Sequence, residues 1–217
     1  MSRKQKVSRI LAFLLLPVVL AGCVDSRAVT VRRTKLFAHK HDVTHETKPK
    51  TQGEFHCAAN PNTFWDFKFI PTLAVERTKM IKENNWYSVK VKVKHVTVET
   101  ALPFDMWLPE NASDSVIAHE DGHVRICRHF YRDAAHQARK CGLHILGREF
   151  VGEAKDEETA MKLAISAANS EMLQTYREKI VEPADRASAA YDKIMTDKSN
   201  KLSVSDAIEK AIGDAQK

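Results

Sequence analysis

The chain has 217 residues, 43% hydrophobic and 29% charged, with only 7 glycines and 7 prolines. That composition excludes disordered, collagen-like and disulfide-dense proteins, and the length suits one core better than two ordinary domains. The formal charge of +6 is lopsided: Arg3, Lys4, Lys6 and Arg9 open the chain with no acid among them, and removing these four cations leaves +2. A body so close to neutral gives no electrostatic ground for a nucleic-acid partner, and none is expected.

Behind the basic start, residues 10–20 form an unbroken apolar run. It is too short for a permanent transmembrane helix and has the flanks of a secretory signal. The tail Leu20-Ala21-Gly22-Cys23 resembles the bacterial lipoprotein signal. The resemblance implies that residues 1–22 are removed and that Cys23 becomes an acylated first residue, which anchors the protein to a membrane. Val24, where an aspartate would signal retention, implies an outer-membrane lipoprotein of the cell envelope facing the periplasm. Export also implies an oxidising compartment, and Cys57, Cys127 and Cys141 are an odd set: one disulfide and one free thiol. Cys127 and Cys141 fall on what reads as one helix, about 21 Å apart, beyond disulfide reach. Cys57 is then the common partner, with Cys141 preferred and Cys127 left as a buried, inert thiol.

In chain order, residues 23–60 are polar and carry His39, His41 and His45 without a clear period, which reads as a solvated tether. Residues 63–75, with Phe64, Trp65, Phe67, Phe69 and Ile70, read as a strand near a sheet edge, broken at Pro71. The clearest strand is 86–100. Tyr87, Val89, Val91 and Val93 alternate with Ser88, Lys90, Lys92 and Lys94, and at His95 the phase passes to Val96 and Val98, as across a β-bulge. Residues 102–109 read as a stiff connection between Pro103 and Pro109. Ser113, Asp114 and Ser115 offer N-caps for a long helix over 116–140, closed by Gly142. A short strand at 145–152 precedes a second long helix at 157–180, striped by Met161, Ala164, Ile165, Ala168, Met172 and Tyr176 and ended by Pro183. Two short helices, 184–195 and 203–212, finish the chain, the latter opened by Ser203 and Asp206.

The first long helix carries His119-Glu120-Asp121-Gly122-His123, an H-E-x-x-H motif. Histidines four apart share one helix face a turn apart, so both imidazoles can meet one zinc ion. Glu120, offset by one position, is placed to act as general base on a zinc-bound water without being a ligand. Gly122 costs the helix about 1 kcal/mol against alanine, which a close approach of neighbouring backbone or substrate would explain.

Such a site wants a third protein ligand. His129 has metzincin spacing, but no glycine breaks the helix before it, and it lies about 240° around from His123. Glu157 and Glu171, on the second long helix, occupy the place from which a gluzincin supplies its ligand, and Asp192, beside Tyr191, is the other candidate. Spacing does not separate them; Asp192 is the working choice.

The order of a valine-alternating strand, a Leu102-Pro103…Trp107 link, H-E-x-x-H on a helix, a second helix and the pair Tyr191-Asp192 resembles the bacterial family of predicted secreted zinc-dependent proteases, placed with the zincin-like peptidases. The resemblance spans about 86–196, and H-E-x-x-H is its one highly specific motif. It implies an α+β zincin-like fold in a single domain over 61–217, a small twisted sheet packed on the motif helix and a second long helix. It further implies a lipid-anchored zinc metallopeptidase cutting peptide or protein substrates that add to a sheet edge, with Tyr191, His144 or a nearby arginine facing the oxyanion. The family follows Tyr-Asp with a threonine and then His-Gly. Here Thr196, Asp197, Lys198 and Ser199 follow with one residue of extra spacing and no histidine. That departure motivates the alternative of a catalytically impaired zincin-fold envelope lipoprotein serving as a binding or scaffolding module.

Overall fold

The computed structural model describes residues 28–34, 37–43 and 62–217, with backbone alone for 37–43. The stretch read as a signal, residues 1–22, together with Cys23, His45 and Cys57, lies outside the described residues. The architecture is mixed α+β. Among the described residues, seven strands form two sheets: β1 (Val29–Arg33), β2 (Phe37–Val43), β3 (Asn62–Trp65), β4 (Lys68–Glu83), β5 (Trp86–Ala101), β6 (Pro103–Pro109) and β7 (Glu149–Ala154). The helices are α1 (Asp114–Tyr131), α2 (Ala134–Ile145), α3 (Glu157–Tyr176), α4 (Glu182–Thr196) and α5 (Val204–Ala215), and none of them is long and apolar enough to cross a membrane.

The centre of the larger sheet is β5, antiparallel to the edge strand β4 on one side. Its other side pairs with β1 in parallel at Val96–Thr100 and with β7 antiparallel at Tyr87–Lys92. The phase slip forms the expected bulge: Ala74 faces His95 while Val75 faces Val93, so Lys94 has no opposite number. Because side-chain direction has period two, that one inserted residue lets Val89, Val91 and Val93 before it and Val96 and Val98 after it all bury on one face. Strand β4 runs straight through Pro71, which an edge strand tolerates by leaving its missing N–H on the unpaired side. Asn84 and Asn85, with φ of 46° and 63°, turn β4 into β5 between the paired Glu83 and Trp86. Two positive φ values at a two-residue loop are what the right-handed twist of a hairpin requires, and asparagine tolerates them.

Several sequence expectations are corrected. The stretch read as a tether supplies two strands, β1 on the large sheet and β2 on the second sheet, ordered β2-β6-β3. The stiff connection is itself a strand, β6, in which Phe104, Met106 and Leu108 turn inward in alternation, in step with the buried Leu102 just before it. The long first helix is two. It breaks at Arg132 and Asp133, and the Arg33 guanidinium takes the freed Tyr131 carbonyl at 3.2 Å. Cys127 and Cys141 therefore sit on different helices, both as buried free thiols. Pro183 does not stop the chain. A five-residue π-helical turn, Arg177–Val181, absorbs the missing donor, and Pro183 lies in the first turn of α4, where a proline costs no hydrogen bond.

Helix α3 lies over β7 and β5 through Ala160, Ala164, Ala168, Met172 and Tyr176, all buried. The alanine row lets the helix ride close to the sheet, and Gly152 of β7 completes the contact. A Cβ there would lie 2.1 Å from the Ala160 carbonyl oxygen and 2.4 Å from the Ala164 nitrogen, both backbone atoms that cannot swing aside. Gly152→Ala should therefore lower stability by about 1–3 kcal/mol, the range of core overpacking, read as a lower thermal midpoint; an unchanged midpoint would contradict this packing.

Candidate metal centre

Helix α1 starts cleanly because the Ser113 hydroxyl accepts the Val116 N–H, and its early turns place His119 and His123 on the face turned to α4. Glycine inside the motif is what admits α4. A Cβ on Gly122 would lie 2.4 Å from Tyr191 Oη, so any side chain there displaces the tyrosine. Tyr191 is fully buried, and its hydroxyl donates to the His119 carbonyl at 3.3 Å. Its ring stacks on the His119 imidazole, centroids 5.1 Å apart, and meets the His123 ring edge-on at 5.3 Å. Burial pushes the phenol up to about 12, so it stays protonated and a donor at neutral pH.

The next residue is Asp192. Its Oδ1 lies 3.2 Å from His119 Nε2 and 3.1 Å from His123 Nε2. The three ligand atoms all fall within 4.8 Å of one another, and this group can hold a metal ion. Tetrahedral coordination at about 2.1 Å places neighbouring donors about 3.4 Å apart, close to the two histidine–aspartate separations. The set also fits by chemistry, since two imidazoles and a carboxylate are ligands that zinc accepts. Burial alone would raise the Asp192 carboxyl, but the hydrogen bonds from His119 and His123 outweigh it and hold the group well below the usual carboxylate range. His119 is raised in turn, chiefly by its bond to Asp192.

A surrounding layer fixes these groups. Ser188, one turn before Asp192 on α4 and buried, lies 2.7 Å from His123 Nδ1. The tautomer that donates Nδ1–H to Ser188 carries no proton on Nε2, so a metal ion there would take the place of the His123–Asp192 hydrogen bond. On the other side, Trp65 of β3 stacks on the His123 ring at 5.7 Å and 21°, while its indole N–H donates to Asp185 of α4 at 3.0 Å. Thr63, two positions earlier on β3, donates to Glu120 Oε2 at 2.7 Å. Glu120 is only 4% exposed and His123 7%, whereas the Asp192 side chain is 51% exposed, so the group opens to solvent on the α4 side.

The other candidates are elsewhere. Glu157 is ion-paired with Arg77 at the large sheet. Glu171 is held by Arg148 and His144, which also takes His144 away from any role here. His129 lies against Arg132 and Gln216. The Tyr191 hydroxyl is already engaged with backbone. Sequence reasoning missed Thr63, Trp65, Asp185 and Ser188. The 185–188–192 spacing on one helix face was a usable signal for α4; the two β3 residues had none, because that strand was not resolved from its neighbour.

Removing the Ser188 hydroxyl should weaken metal binding 10- to 100-fold, the usual effect of losing a ligand's hydrogen-bond partner, and Asp192→Ala should weaken it more. Competition against a chromophoric chelator measures both; equal affinities for wild type and Asp192→Ala would remove Asp192 from the site. No family model matches the chain, and no curated protein or solved structure is found to be similar to it.

Proposed function

We propose that the protein is a lipid-anchored zinc metallopeptidase of zincin-like fold, with His119, His123 and Asp192 as the zinc ligands and Glu120 as general base. The observation that carries the reading is the convergence of two Nε2 atoms and one carboxylate oxygen beside a glutamate at the motif's offset position. Zinc, when bound, supplies Lewis acidity toward a peptide carbonyl and lowers the pKa of water. Glu120 takes the proton of the attacking water and returns it to the leaving amine. Its Oε2 is tied to Thr63, which leaves the second carboxylate oxygen for that transfer. Strand β3 ends the order β2-β6-β3 and touches α1, so it is the sheet edge nearest the ligands and the place for an extended peptide or protein segment to pair. The anchor on Cys23 places the enzyme at the outer membrane, facing the periplasm.

A second reading keeps the metal and drops the chemistry: an envelope lipoprotein that uses this fold as a binding or scaffolding module. The near-complete burial of Glu120 favours it, because a general base must reach water. Glu120→Gln separates the two. On the peptidase reading the variant binds zinc as wild type does and loses hydrolysis of an unfolded protein substrate by 10²-fold or more, the size of a general-base contribution. Identical fragments at identical rates from both forms would reject the assignment.

A further inference from the structure

Five exposed basic residues recur at every fourth position across α2 and its flanks: Arg132, His136, Lys140, His144 and Arg148. His136, Lys140 and His144 lie on α2, where a step of four turns the helix by only about 40° and keeps them in a stripe on its solvent side, while Arg132 and Arg148 flank its two ends. No acidic residue occurs between Asp133 and Glu149. The acids that face the stripe are Asp133, bonded to the Gln137 amide, and Glu171 of α3, shared by His144 and Arg148. Arg132 lies against His129. Arg132, Lys140 and Arg148 thus outnumber the two acids, Asp133 and Glu171, by one, and only Glu171 is ion-paired with the stripe, in a chain whose charge without the leader is only +2.

The inner side of the same helix grips the first described strand. Arg139 donates to the Val29 carbonyl at 2.9 Å, and Gly142 is so close that a Cβ would lie 2.7 Å from the Val29 side chain. Val29 follows Cys23 by six residues, a segment that spans at most about 21 Å, while the twelve residues of α2 measure about 18 Å. A bilayer that held acyl chains on Cys23 would therefore lie within reach of the basic stripe. We infer that this face of α2 docks on anionic phospholipid headgroups of the leaflet that carries the anchor, which fixes how the tethered domain sits on the membrane. The inference rests on the proposed acylation of Cys23. A lipid anchor and a basic face act together because the tether keeps the local headgroup concentration high.

The test uses the mature protein extracted from its membrane, with the acyl state read by intact mass, and reconstituted in vesicles of phosphatidylcholine with or without phosphatidylglycerol. A dye on Gln137→Cys reports quenching by headgroup-labelled lipid, and a dye on Lys201→Cys, in the loop before α5, is the control. Phosphatidylglycerol should raise quenching at residue 137 roughly tenfold, with no rise at 201, and the rise should vanish in high salt and in the Arg132→Glu/Lys140→Glu variant. Equal quenching in both vesicle types, or a rise that survives charge reversal, would overturn the inference, as would a stripe indifferent to phosphatidylglycerol that instead binds duplex DNA. A protein without acyl chains would refute the anchor, and flotation of that same protein with phosphatidylglycerol vesicles, dependent on Arg132 and Lys140, would still judge the surface.

Discussion

The arrangement depends on how closely α4 can approach α1. At Gly122 there is no side chain, and the Tyr191 ring fills that space, flat against His119 and edge-on to His123. The contact fixes the height and rotation of α4, and with them the position of Asp192, which follows Tyr191 directly. A helix displaced by the width of a methyl group would carry the carboxylate away from one imidazole or both. The glycine that weakens α1 by about 1 kcal/mol in isolation is thus what allows a third candidate ligand to arrive from a distant part of the chain.

The second support comes from the short strand β3. Thr63 and Trp65 are two apart, so both point to the same side of the strand, toward α1. One holds the glutamate and the other lies on the second histidine and bonds to Asp185. His123 is enclosed on each side, by Trp65, by Tyr191 and by Ser188, and has little rotational freedom left. Electrostatics points the same way. Two carboxylates, Glu120 and Asp192, flank two imidazoles in a partly buried setting, and a divalent cation is the group that would best balance that charge.

Much of this was legible in the sequence where the information is local. The H-E-x-x-H pair follows from helical periodicity, and the β5 bulge follows from a change of phase between Val93 and Val96. The N-caps Ser113 and Ser203 both act as such. What failed to show was decided by tertiary contacts. The choice of Asp192 over Glu157 and Glu171 turns on where α3 and α4 lie, and those glutamates were drawn off by Arg77, Arg148 and His144. Strands β1, β2 and β6 are short or polar in sequence and exist because β5 and one another supply their hydrogen bonds. The break between α1 and α2 has no glycine or proline to announce it, and is held by Arg33 reaching across from β1. The π-helical turn before Pro183 likewise lets a residue that reads as a terminator sit at a beginning.

X-ray absorption at the zinc edge of the loaded protein tests the central claim most directly. Two imidazole nitrogens with the rest of the shell made of oxygen, at about 2.0–2.2 Å and at one ion per chain, is the result this account predicts. A protein that takes up no stoichiometric zinc, or a shell with sulfur or a single imidazole, would contradict it.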